Sequence, residues 1–407
     1  MRRIKPLNES RHASLINMKH RGRCENVSHL LDATLRRLGQ FGLILCVSVT
    51  LLEGCAPLPP LDNRTSSTAV LATLDTKLGR AIGPLAEAHP NLSGIYALPE
   101  GHDAFAARAL LTRAAERTLD IQYYIWRKDM TGTLLFDAVR AAADRGVRVR
   151  LLLDDNPSAG LDPILAALDA HPNIEVRLFN PLAIRRPRWI NYVIDFARLN
   201  RRMHNKSFTV DNQVTIIGGR NIADEYFDAA EGLLFVDLDV LAVGPIVTDI
   251  SLDFDRYWAS ASSYPVKGLM PPASAAEIAE IQSAALGVER DPRAEAYVIA
   301  LRDSPFVTDL INHNLALEWN RTRMVSDDPA KGLGLAAPEA SFPEQLKRII
   351  GEPASTTALV APYFIPTAAG VDSFVALAKS GVKIRILTNS LEATDGRPDT
   401  RFSTSCR

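Results

Sequence analysis

Met203-His204-Asn205-Lys206-Ser207-Phe208-Thr209-Val210-Asp211, followed at once by Ile216-Ile217-Gly218-Gly219-Arg220-Asn221, is the stretch on which the reading of this chain turns. In an alternating run His204 and Lys206 share one face of a strand, but Phe208 and Val210 share their parity, so position alone does not separate pocket from core. Val214, Ile216 and Ile217 predict a second strand, with Asp211-Asn212-Gln213 as the hairpin turn. Gly218-Gly219 would let the backbone approach a bound anion closely and turn sharply into the segment carrying Asn221. The set suits a site that grips a phosphate and attacks it. A neutral His can be the nucleophile on phosphorus, Lys supplies positive charge to the equatorial oxygens, and Asn and backbone N–H groups donate further hydrogen bonds. A lone His-x-Lys on a strand is common and says little; the full spacing is what is specific.

That spacing, with His204, Lys206, Asp211, Gly218, Gly219 and Asn221, resembles the signature of the phospholipase D superfamily. The resemblance implies an α/β fold, an α-β-α sandwich repeated as a pseudo-twofold pair of domains, with one motif from each half meeting at a shared site. One His then forms a phosphohistidine while the other protonates the leaving alkoxide and later activates the incoming hydroxyl. Carried over residue by residue, His204 is the nucleophile, Lys206 and Asn221 bind phosphate with Gly218 and Gly219, and Asp211 fixes either the imidazole or the loop. No metal or organic cofactor is implied. The family often has Gly-Ser where this chain has Gly218-Gly219, a departure that removes a hydroxyl donor. In pattern the chain is most similar to bacterial cardiolipin synthases of the lipid-anchored, two-motif kind. Phosphatidylglycerol or phosphatidylethanolamine plus an alcohol acceptor are then the expected substrates, taken at a membrane surface.

Composition is that of an ordinary globular protein: 407 residues, 47% hydrophobic, 23% charged, formal net charge −1. That length suggests two or three domains on a prior of ~150 residues each. With no global basic excess a nucleic-acid partner is not favoured, and any anion site must be local.

Near the N-terminus Arg36-Arg37 precede the apolar run Phe41–Leu52 and then Glu53-Gly54-Cys55. A basic region, a short apolar core and small residues read as a secretory signal. The run is too short for a comfortable transmembrane helix of ~20 residues. Leu52-Glu53-Gly54-Cys55 resembles a bacterial lipobox, with Glu53 unusual at its position, which would make Cys55 the lipidated N-terminus of a protein held in the bacterial cell envelope. An ordinary buried helix or an uncleaved anchor is the alternative, and the polar residues 1–30 leave the translation start open. Of four cysteines, Cys24 and Cys46 would leave with the signal and Cys406 has no partner, so there is neither a disulfide framework nor a Cys/His metal spacing. Residues 1–55 are thus expected to be the signal segment and 56–67 a tether.

The first phospholipase D-like domain is expected over 68–265. Helices are predicted at Leu71–Ala88, Gly101–Ala115, Gly132–Asp144, Leu161–Ala170 and Ile246–Tyr257, and strands at Leu119–Trp126, Gly146–Asp155, Ile174–Phe179 and Phe235–Val243; Pro90–Leu98 reads as a loop. The basic, Pro-rich stretch Asn180–Arg202, with Arg185, Arg186, Arg188, Trp189, Arg198, Arg201 and Arg202, is either a solvated face or the lining of an entrance for anionic headgroups. Asp237 and Asp239 are either metal ligands or the exposed side of an alternating strand. Residues 266–290 read as a connector. A partial second domain follows over 291–395, because Leu359–Pro366, Val371–Lys379 and Ser380–Asn389 mirror the strand–helix–strand unit around Gly146-Val147. A second motif placed after Gly381 as His204 is placed after Gly146 would fall beyond residue 407, and His313 has no Lys two residues on. The tail 396–407 lacks apolar periodicity, so a premature stop or frameshift that removed the second motif is expected. Two readings from other classes stay open: a nuclease-like phosphodiesterase completed as a homodimer, and an inactive lipid-binding fragment.

Overall fold

A computed structural model describes residues 58–62, 64–229, 235–361 and 364–389. The expectations for the signal segment, Cys55, Cys406 and the tail lie outside these residues.

The chain runs α1 (Lys77–Ala88), β1 (Ser93–Leu98), α2 (Gly101–Ala114), β2 (Thr118–Tyr123), α3 (Met130–Asp144), β3 (Arg148–Asp154), α4 (Asp162–Asp169) and β4 (Ile174–Phe179). Two short helices follow, α5 (Ile190–Ile194) and α6 (Phe196–Leu199), then β5 (Ser207–Val210), β6 (Val214–Gly218), β7 (Asp239–Val243), α7 (Pro245–Ala259) and β8 (Ser263–Pro265). Beyond these come α8 (Ala275–Glu289), α9 (Glu295–Asp303), α10 (Phe306–Ile311), β9 (Glu318–Asn320), α11 (Phe342–Ile350), β10 (Thr356–Val360), α12 (Ala368–Lys379) and β11 (Lys383–Leu387). Nine strands form one mixed sheet in the order β8-β4-β3-β2-β5-β6-β7-β1-β9.

Both faces of this sheet are covered, which makes the fold an α-β-α sandwich. In β3 Leu151 and Leu153 join the larger core with residues of α2, α3 and α4, while Leu152 joins Phe254, Tyr257 and Trp258 of α7. Two-sided burial is why Leu151-Leu152-Leu153 is a continuous apolar run. The α7 side also takes charge. Arg150 grips Asp120 at 2.7 and 2.8 Å and Asp255 at 2.7 Å, and Arg177 donates to the Trp258 carbonyl at 2.7 Å. Both guanidiniums lie against the Trp258 ring, Arg177 at 4.0 Å, so an aromatic face replaces part of their lost hydration.

Several expectations need correcting. Residues 93–98, read as a loop, are strand β1, registered between β7 and β9; the Pro90-Asn91 turn hides how little of the strand stands alone. The stretch 266–290 is no free connector: α8 packs on α3 and α4, burying Ile281 and Ala285. The expected tether is packed from Arg64 onward, where that guanidinium donates to the carbonyls of Ala259 and Ser260. Helix α1 starts six residues late, at Lys77, because the Thr76 hydroxyl caps it by accepting the Gly79 N–H at 3.0 Å.

The repeat is visible in the backbone. β10 and β11 pair in parallel, Thr356 against Lys383, around α12, as β2 and β3 pair, Thr118 against Arg148, around α3. Gly146 and Gly381, which open the second strand of each unit, both carry positive φ, 95° and 91°, a backbone conformation that costs glycine alone nothing.

Candidate active site

The registers bring the motif residues other than Asp211 to one end of the sheet. Gln122 lies opposite Ser207, Ser207 opposite Ile217, and Gly218 opposite Asp239. The chain leaving β2 at Tyr124, entering β5 at His204–Lys206, leaving β6 at Gly218-Gly219 and entering β7 at Asp239 therefore converges on one place. His204 and Lys206 are not on the strand itself: β5 begins at Ser207. Phe208 and Val210, which share their parity, belong to the core.

Lys206 is buried and turned back on its neighbour. Its Nζ donates to the His204 carbonyl at 2.9 Å and lies 3.4 Å from both imidazole nitrogens. The Tyr124 ring stands 4.8 Å from the His204 ring, tilted by 56°. Burial, then the charges of Lys206 and Lys331, push the His204 imidazole down to about 4. At neutral pH it therefore carries a lone pair, although part of the ring meets solvent. Burial also pushes the Lys206 ammonium down to about 8, opposed by Asp237 and Asp239.

Asp211 does not reach the imidazole. It sits at the far end of β5, fully buried, and accepts the backbone N–H groups of Glu116 (3.0 Å), Arg117 (2.7 Å) and Thr118 (2.9 Å). It holds the turn into β2. The predicted hairpin turn is present, with Asp211 and Asn212 at φ 49° and 50°.

The glycines serve packing. A Cβ on Gly218 would strike the Leu238 carbonyl and the Asp239 backbone, and one on Gly219 the Asp237 carboxylate. The Gly219 N–H is already given to the Leu238 carbonyl at 3.2 Å, so it is not an anion donor here. Asn221 is also engaged: its Oδ1 accepts the Ile125 N–H at 3.0 Å and its Nδ2 donates to the Tyr226 hydroxyl at 2.9 Å. Its second amide hydrogen takes part in neither bond.

Asp239 is not on an exposed strand face. It is wholly buried, accepts from Arg108 at 2.8 Å and lies 3.7 Å from Arg220. Among the described residues no cluster of His, Cys, Asp and Glu could hold a metal ion. The basic run is likewise mostly spent. Arg185 pairs with Asp155 and Asp162 at 2.5 Å, Arg188 with Asp155 at 3.1 Å, Arg198 with Asp195 at 2.5 Å and Arg202 with Asp154 at 3.0 Å. Neither a solvated face nor a headgroup lining describes those four.

Sequence reasoning missed Tyr124, Lys331 and Asp154. Asp154 closes β3 and accepts the Met203 N–H at 2.9 Å, one residue before His204; burial raises its carboxyl to about 6 despite Arg202. The Asp154-Asp155 pair at the carboxyl end of a central parallel strand was the available signal, since such ends face the crevice of open α/β sheets.

His204, Lys206 and Tyr124 thus stand together at one end of the sheet. Residues 108–258 match the family described as cardiolipin synthase, PLD-like domain. Cardiolipin synthase C of Escherichia coli (strain K12) is 50% identical over 321 residues, which take in 78% of this chain and 67% of that protein. Cardiolipin synthase B of the same organism is 32% identical over 159 residues, 38% of this chain and 36% of the relative. Among solved structures, the phosphatidylserine synthase of Haemophilus influenzae Rd KW20 is 13% identical with a TM-score of 0.46, covering 77% of this chain and 66% of its own. The chain belongs to the cardiolipin synthase family of phospholipase D-like phosphatidyltransferases.

Proposed function

We propose that the chain transfers a phosphatidyl group from phosphatidylglycerol or phosphatidylethanolamine to an alcohol through a phosphohistidine on His204. The observation that carries this reading is the His204–Lys206 pair, an imidazole held neutral 3.4 Å from an ammonium. A ring nitrogen of His204 attacks phosphorus. The P–N bond forms as the P–O bond to the leaving alcohol breaks, and Lys206 takes up the charge that gathers on the equatorial oxygens. An acceptor hydroxyl then passes its proton to the second imidazole, the one that has protonated the leaving alcohol, attacks phosphorus opposite His204, and the P–N bond breaks with its electron pair returning to the His204 ring. Tyr124 and Asn221 frame the phosphate.

The leaving alkoxide needs a proton, and His313 is not placed to give it: its Nε2 lies 2.7 Å from the Ala81 carbonyl. We assign that proton to a second imidazole, which a second copy of the chain would bring as its own His204. A phospholipid substrate favours attachment to the bacterial envelope, with Cys55 as the lipidated residue.

The test uses phosphatidylglycerol vesicles labelled in the phosphate, quenched in alkali to preserve phosphohistidine. Wild-type protein is expected to retain label and to release glycerol, and His204→Ala to do neither. Release of glycerol by His204→Ala would sink the nucleophile assignment. Cleavage of plasmid DNA with no lipid turnover would favour a nuclease instead.

A further inference from the structure

The structure leaves one conspicuous surface unused by the reaction: the segment between β4 and His204. Trp189 is 66% exposed, Val193 73% and Phe196 60%, and Ile194 joins them on the outside. Large apolar side chains gathered on a surface mark a place where something docks. The scaffold is built to hold them out. Asp155 is wholly buried and accepts the Leu182 N–H at 2.7 Å besides pairing with Arg185 and Arg188, while Asn191 clamps Ile184 from both sides of its amide. The segment is therefore a braced lip whose apolar tip faces water.

Two further observations say what covers it. Arg186 and Arg201 are the arginines of the run that stay exposed, and neither side chain has an ion pair among the described residues. Apolar and aromatic tips flanked by unpaired cations match an anionic lipid surface, where the rings sit at headgroup level and the cations meet phosphate. The lip is also continuous with the site. The Tyr192 hydroxyl donates to Asn156, Asn156 is hydrogen-bonded to Tyr124, and the Tyr124 ring lies against His204.

We propose that residues 186–201 form a bilayer-docking lip that inserts Trp189, Val193 and Phe196 into an anionic membrane and presents its phospholipids to His204. This rests on the phospholipid reading above, but its test does not require turnover. The full chain is mixed with phosphatidylglycerol vesicles whose acyl chains are brominated, and tryptophan emission is followed beside a Trp189→Phe variant. Trp126 and Trp258 are buried and Trp319 is only partly exposed, so the signal is read mainly from Trp189. Quenching in the wild type that is lost in Trp189→Phe is expected, and it should weaken on vesicles of neutral phosphatidylcholine. Equal emission from brominated and unbrominated vesicles would overturn the proposal, even if another part of the chain holds the protein to the membrane.

A second variant, Val193→Ser with Phe196→Ser, separates docking from chemistry. It is expected to turn over vesicle lipid about tenfold more slowly or worse, since each lost apolar contact weakens interfacial binding. Short-chain phosphatidylglycerol dispersed as monomers should be turned over at the wild-type rate. Equal loss on vesicles and monomers would place these residues in the chemistry and refute the lip. Quenching of Trp189 without turnover of either substrate would leave the lip standing and count against the proposed reaction alone.

Discussion

The Asp211 carboxylate accepts the Arg117 backbone N–H at 2.7 Å, at the end of β5 remote from His204. Its burial and its three backbone donors make it a fold residue within a catalytic signature. Replacing it with Ala strands those N–H groups in the interior, each costing about 1–3 kcal/mol. Asp211→Ala is expected to lower the urea midpoint strongly, while the fraction that stays folded keeps its phosphohistidine-forming rate. A loss of labelling in protein shown to be folded by circular dichroism would give Asp211 a chemical role after all.

The two glycines make a graded prediction. Gly218→Ala drives a methyl into the Leu238 carbonyl and Asp239 backbone, which cannot swing away, whereas Gly219→Ala meets the movable Asp237 side chain. Overpacking against rigid atoms costs about 1–3 kcal/mol. Gly218→Ala should therefore melt at the lower temperature of the two in thermal scans, and the reverse order would contradict this packing.

The pH profile follows from the two perturbed groups. The reaction needs His204 neutral and Lys206 charged. Activity should thus be lost as pH falls through about 4, where the imidazole protonates, and as it rises through about 8, where the ammonium gives up its proton. Asp237 and Asp239 hold the Lys206 proton on, and Asp237 is the more exposed. Asp237→Asn should therefore move the alkaline limb of kcat/KM to lower pH with little change in stability. A fixed limb would mean that Lys206 is not the group titrating there.

Stability falls in the same direction for His204. Its folded-state value lies below the ordinary 6.5, so the neutral ring favours the fold above that range and the benefit fades as pH drops from 6.5 towards 4. His204→Gln should flatten that part of the acid-unfolding curve. Lys331→Gln, which removes one of the charges acting on the ring, should raise the His204 titration seen by histidine NMR; an unmoved signal would show that Lys331 does not act on it.

The central elements were legible because they repeat with a period. The apolar core of β3, the helical spacing in α3 and the glycine turns of both repeats all carry their structure locally. β1 and β9 were not, since a three-residue strand such as Glu318–Asn320 has no periodicity and exists only through its pairing with β1. The site divided in the same way. His204 and Lys206 stand two apart in sequence, so their meeting was readable. The ring of Tyr124 reaches His204 only through the β2–β5 register, and Asp211 finds its partners 93 to 95 positions away. The arginines of the basic run looked free because Asp154, Asp155 and Asp162 approach them from distant parts of the chain.

Asp154 and Asp155 are adjacent at the end of β3 yet hold different things. Asp154 takes Met203 and Arg202, the approach to the nucleophile, while Asp155 takes Leu182, Arg185 and Arg188, the root of the lip. Two neighbouring carboxylates thus make separate moorings for chemistry and for surface contact. The exposed tip can drift in sequence, or be exchanged between relatives as a cassette, as long as its root residues stay, and each exchange would retune which membrane the enzyme visits without retuning the enzyme.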